Sequence, residues 1–171
     1  MAARHPDWRF LVVGGGPEDA ALRELAQQLG IANQVRFTGF VNNACQYTSV
    51  LDAFAFASLR EGSPGVVKEA MALRVPIVAA KSPGTDEVIT PTTGVLIAPQ
   101  DPNALANALC DVLASPNTTR NMVERAHAHV RENYSMSQTI TATIAIYESI
   151  RQQAQIPCAT LPRASHSEGT R

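Results

Sequence analysis

Ala53-Phe54-Ala55-Phe56-Ala57-Ser58-Leu59-Arg60-Glu61-Gly62-Ser63-Pro64-Gly65-Val66-Val67-Lys68-Glu69-Ala70-Met71-Ala72 reads as strand, loop and helix. Residues 53–57 are uniformly apolar, the pattern of a strand covered on both faces of a parallel sheet, so a central strand is expected there. Gly62 and Pro64 interrupt it, and a helix follows over 65–73. Working toward the N-terminus, 9–13 is a second apolar run, stopped by Gly14-Gly15-Gly16-Pro17. Ala21, Leu22, Leu25, Ala26 and Leu29 then recur at three and four, an amphipathic helix over 18–29 with Gly30 as its stop. A strand at 35–38 is closed by Gly39, and a short helical stretch leads from Asn42 to near Val50.

Toward the C-terminus, 76–80 is another apolar strand, 84–89 a short helix that Pro91 cannot continue, and 94–98 a fifth strand. Asp101-Pro102 supplies an N-cap and a proline at the first helical position, ahead of the stripe Leu105, Ala108, Leu109, Val112 and Leu113. Helices over about 118–132 and 137–153 follow. Strands alternating with helices, joined by connections too long for hairpins, give an α/β fold. The expectation is a Rossmann-like three-layer sandwich over 1–153 with a mostly parallel sheet of about five strands, and a flexible polar tail over 154–171.

Composition narrows the function. At 171 residues, 45% apolar and 17% charged, the chain has the size and make-up of one globular domain. Fourteen Lys and Arg against fifteen Asp and Glu leave a formal charge of −1, so no cation excess exists for nucleic acid or anionic lipid. Apolar runs such as 10–13 and 53–57 fall far short of the roughly 20 residues that cross a bilayer. No charged leader opens the sequence, and a cytoplasmic location is expected. Cys45, Cys110 and Cys158 are an odd count without a CxxC pair and read as reduced thiols. His127 and His129, two apart on a helix, point about 200° apart and make no metal pair.

Ligands of parallel α/β sheets bind beyond the carboxyl ends of the strands, which directs attention to the loops at Gly14, Gly39, Ser58 and Lys81. The first is not a dinucleotide fingerprint, because Asp19 stands where the third glycine belongs, and no Gly-Lys-Ser or Gly-Lys-Thr follows. Its glycines either turn the chain or let a ligand approach the backbone. The third loop is richer. Glu61 ends a strand, Gly62 and Gly65 leave the backbone uncovered, and a helix opens with free amides. Glu69, four residues past Gly65, reaches the same region from a second direction. Carboxylates suit adjacent hydroxyls and free amides suit phosphate, so the set matches a ligand carrying both sugar and phosphate. A loop acid and a helix acid near a helix N-terminus fit the same spacing.

The segment resembles the signature of retaining nucleotide-sugar glycosyltransferases of the GT-B fold, group 1 or family four: an acid, seven intervening residues, and a second acid followed by Ala-Met-Ala. Further matches are Val12-Val13-Gly14-Gly15-Gly16-Pro17, Val35-Arg36-Phe37-Thr38-Gly39-Phe40-Val41, the stretch 52–58, Pro76-Ile77-Val78-Ala79 and Gly94-Val95-Leu96. Their order resembles the C-terminal, donor-binding half of such enzymes from about residue 8 to residue 150, one half of a GT-B fold. The resemblance implies a nucleoside diphosphate sugar as donor substrate, with no metal and no cofactor. It implies that Glu69 accepts from the ribose hydroxyls. Glu61, as the catalytic carboxylate, and the backbone of Gly62, Ser63, Pro64 and Gly65 would hold the transferred sugar and phosphate oxygens. Val41, within Phe40-Val41-Asn42, would present main-chain groups to the base, and Gly15 and Gly16 would line the cleft. The sugar leaves on the face that the acceptor attacks, and the departing diphosphate is stabilised electrostatically.

Departures from the pattern carry their own expectations. Arg74 stands where the family usually has the glycine that caps the helix. The family's donor half opens with one more strand, whose following loop carries an Arg and a Lys that grip the diphosphate. The present sequence starts after that segment and after the acceptor half, and Arg4 and Arg9 do not match the missing pair. Lys68 and Lys81 are phosphate partners or solvated surface lysines. Either the strands at 9–13 and 53–57 pair directly or a second chain, a separate acceptor-binding chain or another copy, fills the gap. Alone, the chain is expected to be weak or inactive. A non-catalytic nucleotide-sugar-binding or structural module, a truncated gene product, and a nucleotide-sugar epimerase are the alternatives. Sugar, base and acceptor leave no mark in the sequence.

Overall fold

The computed structural model describes residues 1–153; the expected tail lies outside the described residues. After a 3-10 turn at Ala2–Arg4 come β1 (Phe10–Val12), α1 (Asp19–Gln28), β2 (Val35–Phe37), α2 (Ala44–Thr48), β3 (Phe54–Phe56), α3 (Gly65–Ala72), β4 (Ile77–Ala80), α4 (Pro83–Val88), β5 (Val95–Ile97), α5 (Pro102–Ala114), α6 (Pro116–Asn133) and α7 (Met136–Gln153). The α/β alternation and its punctuation match the expectation. Asp101 caps α5, its Oδ1 accepting from the Ala104 amide at 2.8 Å, with Pro102 in the first helical position.

Every strand pair is parallel, as in a Rossmann-like half, but the strands form two sheets. β1 pairs with β2, Phe10 opposite Val35, and β3–β4–β5 form the other, with Val78 opposite both Ala55 and Val95. Of the two alternatives for the gap, direct pairing of 9–13 with 53–57 does not occur, since β1 and β3 lie in different sheets. β3 is correspondingly an edge strand and not the central one: Ala55 is exposed, whereas β4 is buried at all four positions. The uniform apolar run misleads because its alanines alternate with Phe54 and Phe56. The half-buried rings stack at 6.1 Å, and the alanines bring little apolar area to the intervening positions.

The core lies between the larger sheet and its helices. Val67, Ala70 and Met71 of α3, all of β4, and Thr85, Val88 and Ile89 are almost inaccessible, and Val123, Ala126 and Val130 of α6 close the layer. The smaller sheet is poorly covered. Of the stripe on α1 only Ala26 is buried, and Leu22, Leu25 and Leu29 remain exposed, because two strands offer too narrow a face. About half exposed, each leucine forgoes roughly 1 kcal/mol of burial, about half of what full burial contributes.

The end of α3 shows how the missing cap glycine is accommodated. Arg74 itself adopts the left-handed conformation at φ +59°, its amide donating to Met71 O at 3.2 Å and that of Val75 to Ala70 O at 3.0 Å. Its Nε meets both carboxylate oxygens of Glu124 on α6, at 3.1 and 3.3 Å. Glycine at this position removes a steric cost of roughly 1–2 kcal/mol, while the exposed ion pair contributes at most about 1 kcal/mol. Urea unfolding is therefore expected to leave Arg74→Gly near the parent in stability. Arg74→Ala, which loses the pair and keeps the strain, should be about 1 kcal/mol less stable than Arg74→Gly. Equal stability of the two variants would remove the left-handed strain as the deciding factor.

Residues Met1–Asn133 form one compact unit, and the described residues from Tyr134 onward belong to a second. In the second, α7 buries none of its residues and displays Ile140, Ile144, Tyr147 and Ile150. Among the described residues no helix is long and apolar enough to cross a membrane.

Candidate functional site

Short contacts stitch together the loops that the sequence marks at the strand ends. After β1, Gly14 turns the chain at φ +115°, a conformation that L side chains rarely adopt, and its amide donates to Gly39 O at 3.1 Å. Gly15 lies against the next loop, where a Cβ would stand 3.3 Å from the ring of Phe40; Gly16 has open space around it. Phe40 is 86% exposed, and Val41 beside it is half-buried. The two glycine-bearing turns thus form one surface.

The loop after β3 is held from below. Pro64 is buried in an extended conformation (φ −65°, ψ 114°) and delivers the chain into α3, whose N-terminus no side chain caps. The amides of the first turn therefore have no intrahelical acceptor and face the 61–64 loop. Burial of Val67, Ala70 and Met71 fixes the rotation of α3, placing Gly65 and Glu69 on the opposite side, one turn apart. Glu69 is exposed on that face, one helical turn along from bare Gly65. Ser63 Oγ accepts from Lys68 Nζ at 3.1 Å, which ties that lysine to the loop. Glu61 is half-buried.

Gly84 and Cys45 complete the arrangement, and sequence reasoning missed both. A Cβ on Gly84 would lie 2.6 Å from the carbonyl carbon of Glu61 and 2.7 Å from that of Gly62, and closer still to Glu61 O. The β3–α3 loop thus rests directly on the backbone of α4. Buried Thr85 anchors α4: its Oγ1 accepts from the Ser82 amide at 2.7 Å and donates to Ala80 O at 2.9 Å. Cys45, on α2, donates its thiol to Glu69 Oε2 at 3.5 Å. Burial pushes the Cys45 thiol up, and the hydrogen bond and charge of Glu69 raise it further. The thiol is favoured over the thiolate in the fold. The associated stabilisation is present at neutral pH and is lost as pH rises through the elevated pKa.

One cleft stands apart. It holds about 540 Å³ and is lined by Lys81, Ser82, Pro83, Asp86, Glu87 and Pro99, and none of the candidate donor residues lines it. Lys81 Nζ lies 3.9 Å from Asp86 Oδ2. The structure thus joins Gly15 to the 39–41 loop, Gly62 to α4, Ser63 to Lys68, and Glu69 to α2, and it sets Lys81 in the separate cleft.

Comparison with known proteins follows the same outline. The family model described as glycosyl transferases group 1 matches residues 1–129. N-acetyl-alpha-D-glucosaminyl L-malate synthase of Bacillus anthracis is 30% identical over 145 residues, 84% of this chain and 38% of that protein. D-inositol 3-phosphate glycosyltransferase of Corynebacterium urealyticum is 31% identical over 160 residues, 88% of this chain and 38% of that protein. Among solved structures, HepE of Anabaena in complex with UDP-glucose aligns with a TM-score of 0.75 at 27% identity, covering 82% of this chain and 41% of that one. Sucrose-phosphate synthase of Thermosynechococcus elongatus aligns with a TM-score of 0.80 at 26% identity, covering 88% and 40%. The chain spans well under half the length of each of these relatives.

Proposed function

The chain belongs to the group 1 glycosyl transferases, and from that premise we propose that it is the donor-binding part of an enzyme that moves a sugar from a nucleoside diphosphate sugar to an acceptor with retention. The observation that carries the reading is the Glu61–Glu69 segment. Along the chain two acids bracket a helix N-terminus without a side-chain cap; the main chain of their loop rests on α4, and Glu69 meets Cys45 of α2. HepE, which aligns over most of this chain, is a relative described with UDP-glucose bound.

In this reading Glu69 accepts from the ribose hydroxyls, and the main chain of Val41 meets the base. Gly15 and Gly16 leave room for the nucleotide. The amides from Gly62 through Gly65, with Ser63 and Pro64 shaping the loop and Lys68 beside it, hold the diphosphate as its negative charge grows. Glu61 binds the transferred sugar and orients its anomeric carbon, and the acceptor attacks on the face that the diphosphate leaves. The transfer needs no metal. An acceptor-binding half, in the same or a separate chain, completes the cleft, and without it transfer is weak or absent. The setting is cytoplasmic.

Calorimetric titration with UDP, GDP and their hexose derivatives tests the reading. Binding of at least one is expected, and Glu69→Ala should weaken it roughly tenfold to a hundredfold, the range for hydrogen bonds to a charged group. Unchanged affinity in Glu69→Ala would remove the ribose assignment.

A further inference from the structure

We propose that Cys45 is a positioning residue for the donor ribose, its thiol fixing the Glu69 carboxylate in the orientation that receives the sugar hydroxyls. The inference rests on the assignment of Glu69 to the ribose. Burial of Val67, Ala70 and Met71 fixes the backbone of α3, yet Glu69 itself is exposed and has several rotatable bonds. A partner on a neighbouring element is what selects one rotamer. Cys45 supplies it from α2, at 3.5 Å from Oε2 and a few residues beyond the 40–42 stretch that the same reading gives to the base. Base and ribose contacts are thereby linked through a single short segment.

The chemistry of the pair fits the role. A thiol has one proton to give, and giving it to Oε2 leaves Oε1 wholly free for the two ribose hydroxyls. Burial and the facing carboxylate favour the protonated thiol, so Cys45 acts as a donor and not as a second anion. Serine retains a single donor of similar size, whereas alanine retains none.

The test uses the full 171-residue chain, with UDP and GDP and their 2′,3′-dideoxy counterparts followed by ³¹P NMR, which quantifies even millimolar dissociation constants. Cys45→Ala is expected to weaken the ribonucleotide about three- to tenfold, the loss of one modest hydrogen bond. Cys45→Ser should restore binding to within about twofold of the parent. Dideoxynucleotide binding should be unmoved by either variant, and Cys45→Ala should add nothing in a Glu69→Ala background. Equal weakening of ribo- and dideoxynucleotides by Cys45→Ala would overturn the proposal, because it would mark a structural role. So would unchanged ribonucleotide binding in Cys45→Ala alongside a clear loss in Glu69→Ala. If Glu69→Ala itself costs nothing, or neither nucleotide binds the parent, the ribose assignment falls and the Cys45 role falls with it.

Discussion

Gly84→Ala is expected to displace the 61–62 loop and to weaken nucleotide binding by roughly ten- to a hundredfold, the penalty that a shift of about 1 Å in a positioned site can carry. The new methyl group would overlap the carbonyl groups of Glu61 and Gly62, so one side must yield. α4 is pinned by fully buried Thr85 and Val88, with Ile89 behind them, while Gly62 and Ser63 are exposed. The loop therefore moves. Overpacking of this kind also costs about 1–3 kcal/mol of stability. Urea unfolding combined with nucleotide titration checks both effects. A variant that binds as the parent does would show that α4 does not set the loop.

Thr85→Val separates the stability of the platform from its shape. Valine fills nearly the same volume but strips the Ser82 amide and the Ala80 carbonyl of their hydroxyl partner in a fully buried place. Each buried group left unpaired costs about 1–3 kcal/mol, so a total loss of roughly 2–4 kcal/mol is expected in urea, with Thr85→Ser recovering much of it. Unlike Gly84→Ala, the valine variant adds no atom toward the loop, so its folded fraction should bind nucleotide close to normally. Loss of less than about 1 kcal/mol would mean that water or a local shift satisfies the two groups.

What the sequence discloses is mainly local. Asp101-Pro102 announces the start of α5, and Gly14 and Gly30 fall in left-handed turns at the ends of the expected strand and helix. Each of these signals acts through its own backbone dihedrals or a partner three or four residues away. The division of the strands into two sheets depends instead on which edges meet, and β3 is misread as central because small alanines count as apolar in a pattern yet cover little area. The candidate site divides in the same way. The 61–69 spacing is visible along the chain, whereas the supports of that segment come from a distance. Gly84 meets Glu61 and Cys45 meets Glu69 across more than twenty residues each, and nothing in local composition marks either position. Arg74 shows the converse. Its helix end is foreseeable, but the carboxylate that occupies its side chain stands fifty positions away.

The uneven burial of the two sheets bears on how a nucleotide would be held. Among the described side chains of the first sixty residues only Ala26 and Thr48 are inaccessible, while 67–130 contain almost all the rest. The proposed binding surface is thus half anvil and half drapery: α3 and α4 are clamped by their core, but the glycine turns at 14–16 and the 39–41 strip hang on a scarcely consolidated ribbon. A molecule gripped from both would have to stiffen the looser part as it binds, and its measured affinity would include that ordering. Urea well below the unfolding midpoint should therefore erode association before it melts the helices, because occupancy and consolidation of the N-terminal third are two readings of a single equilibrium.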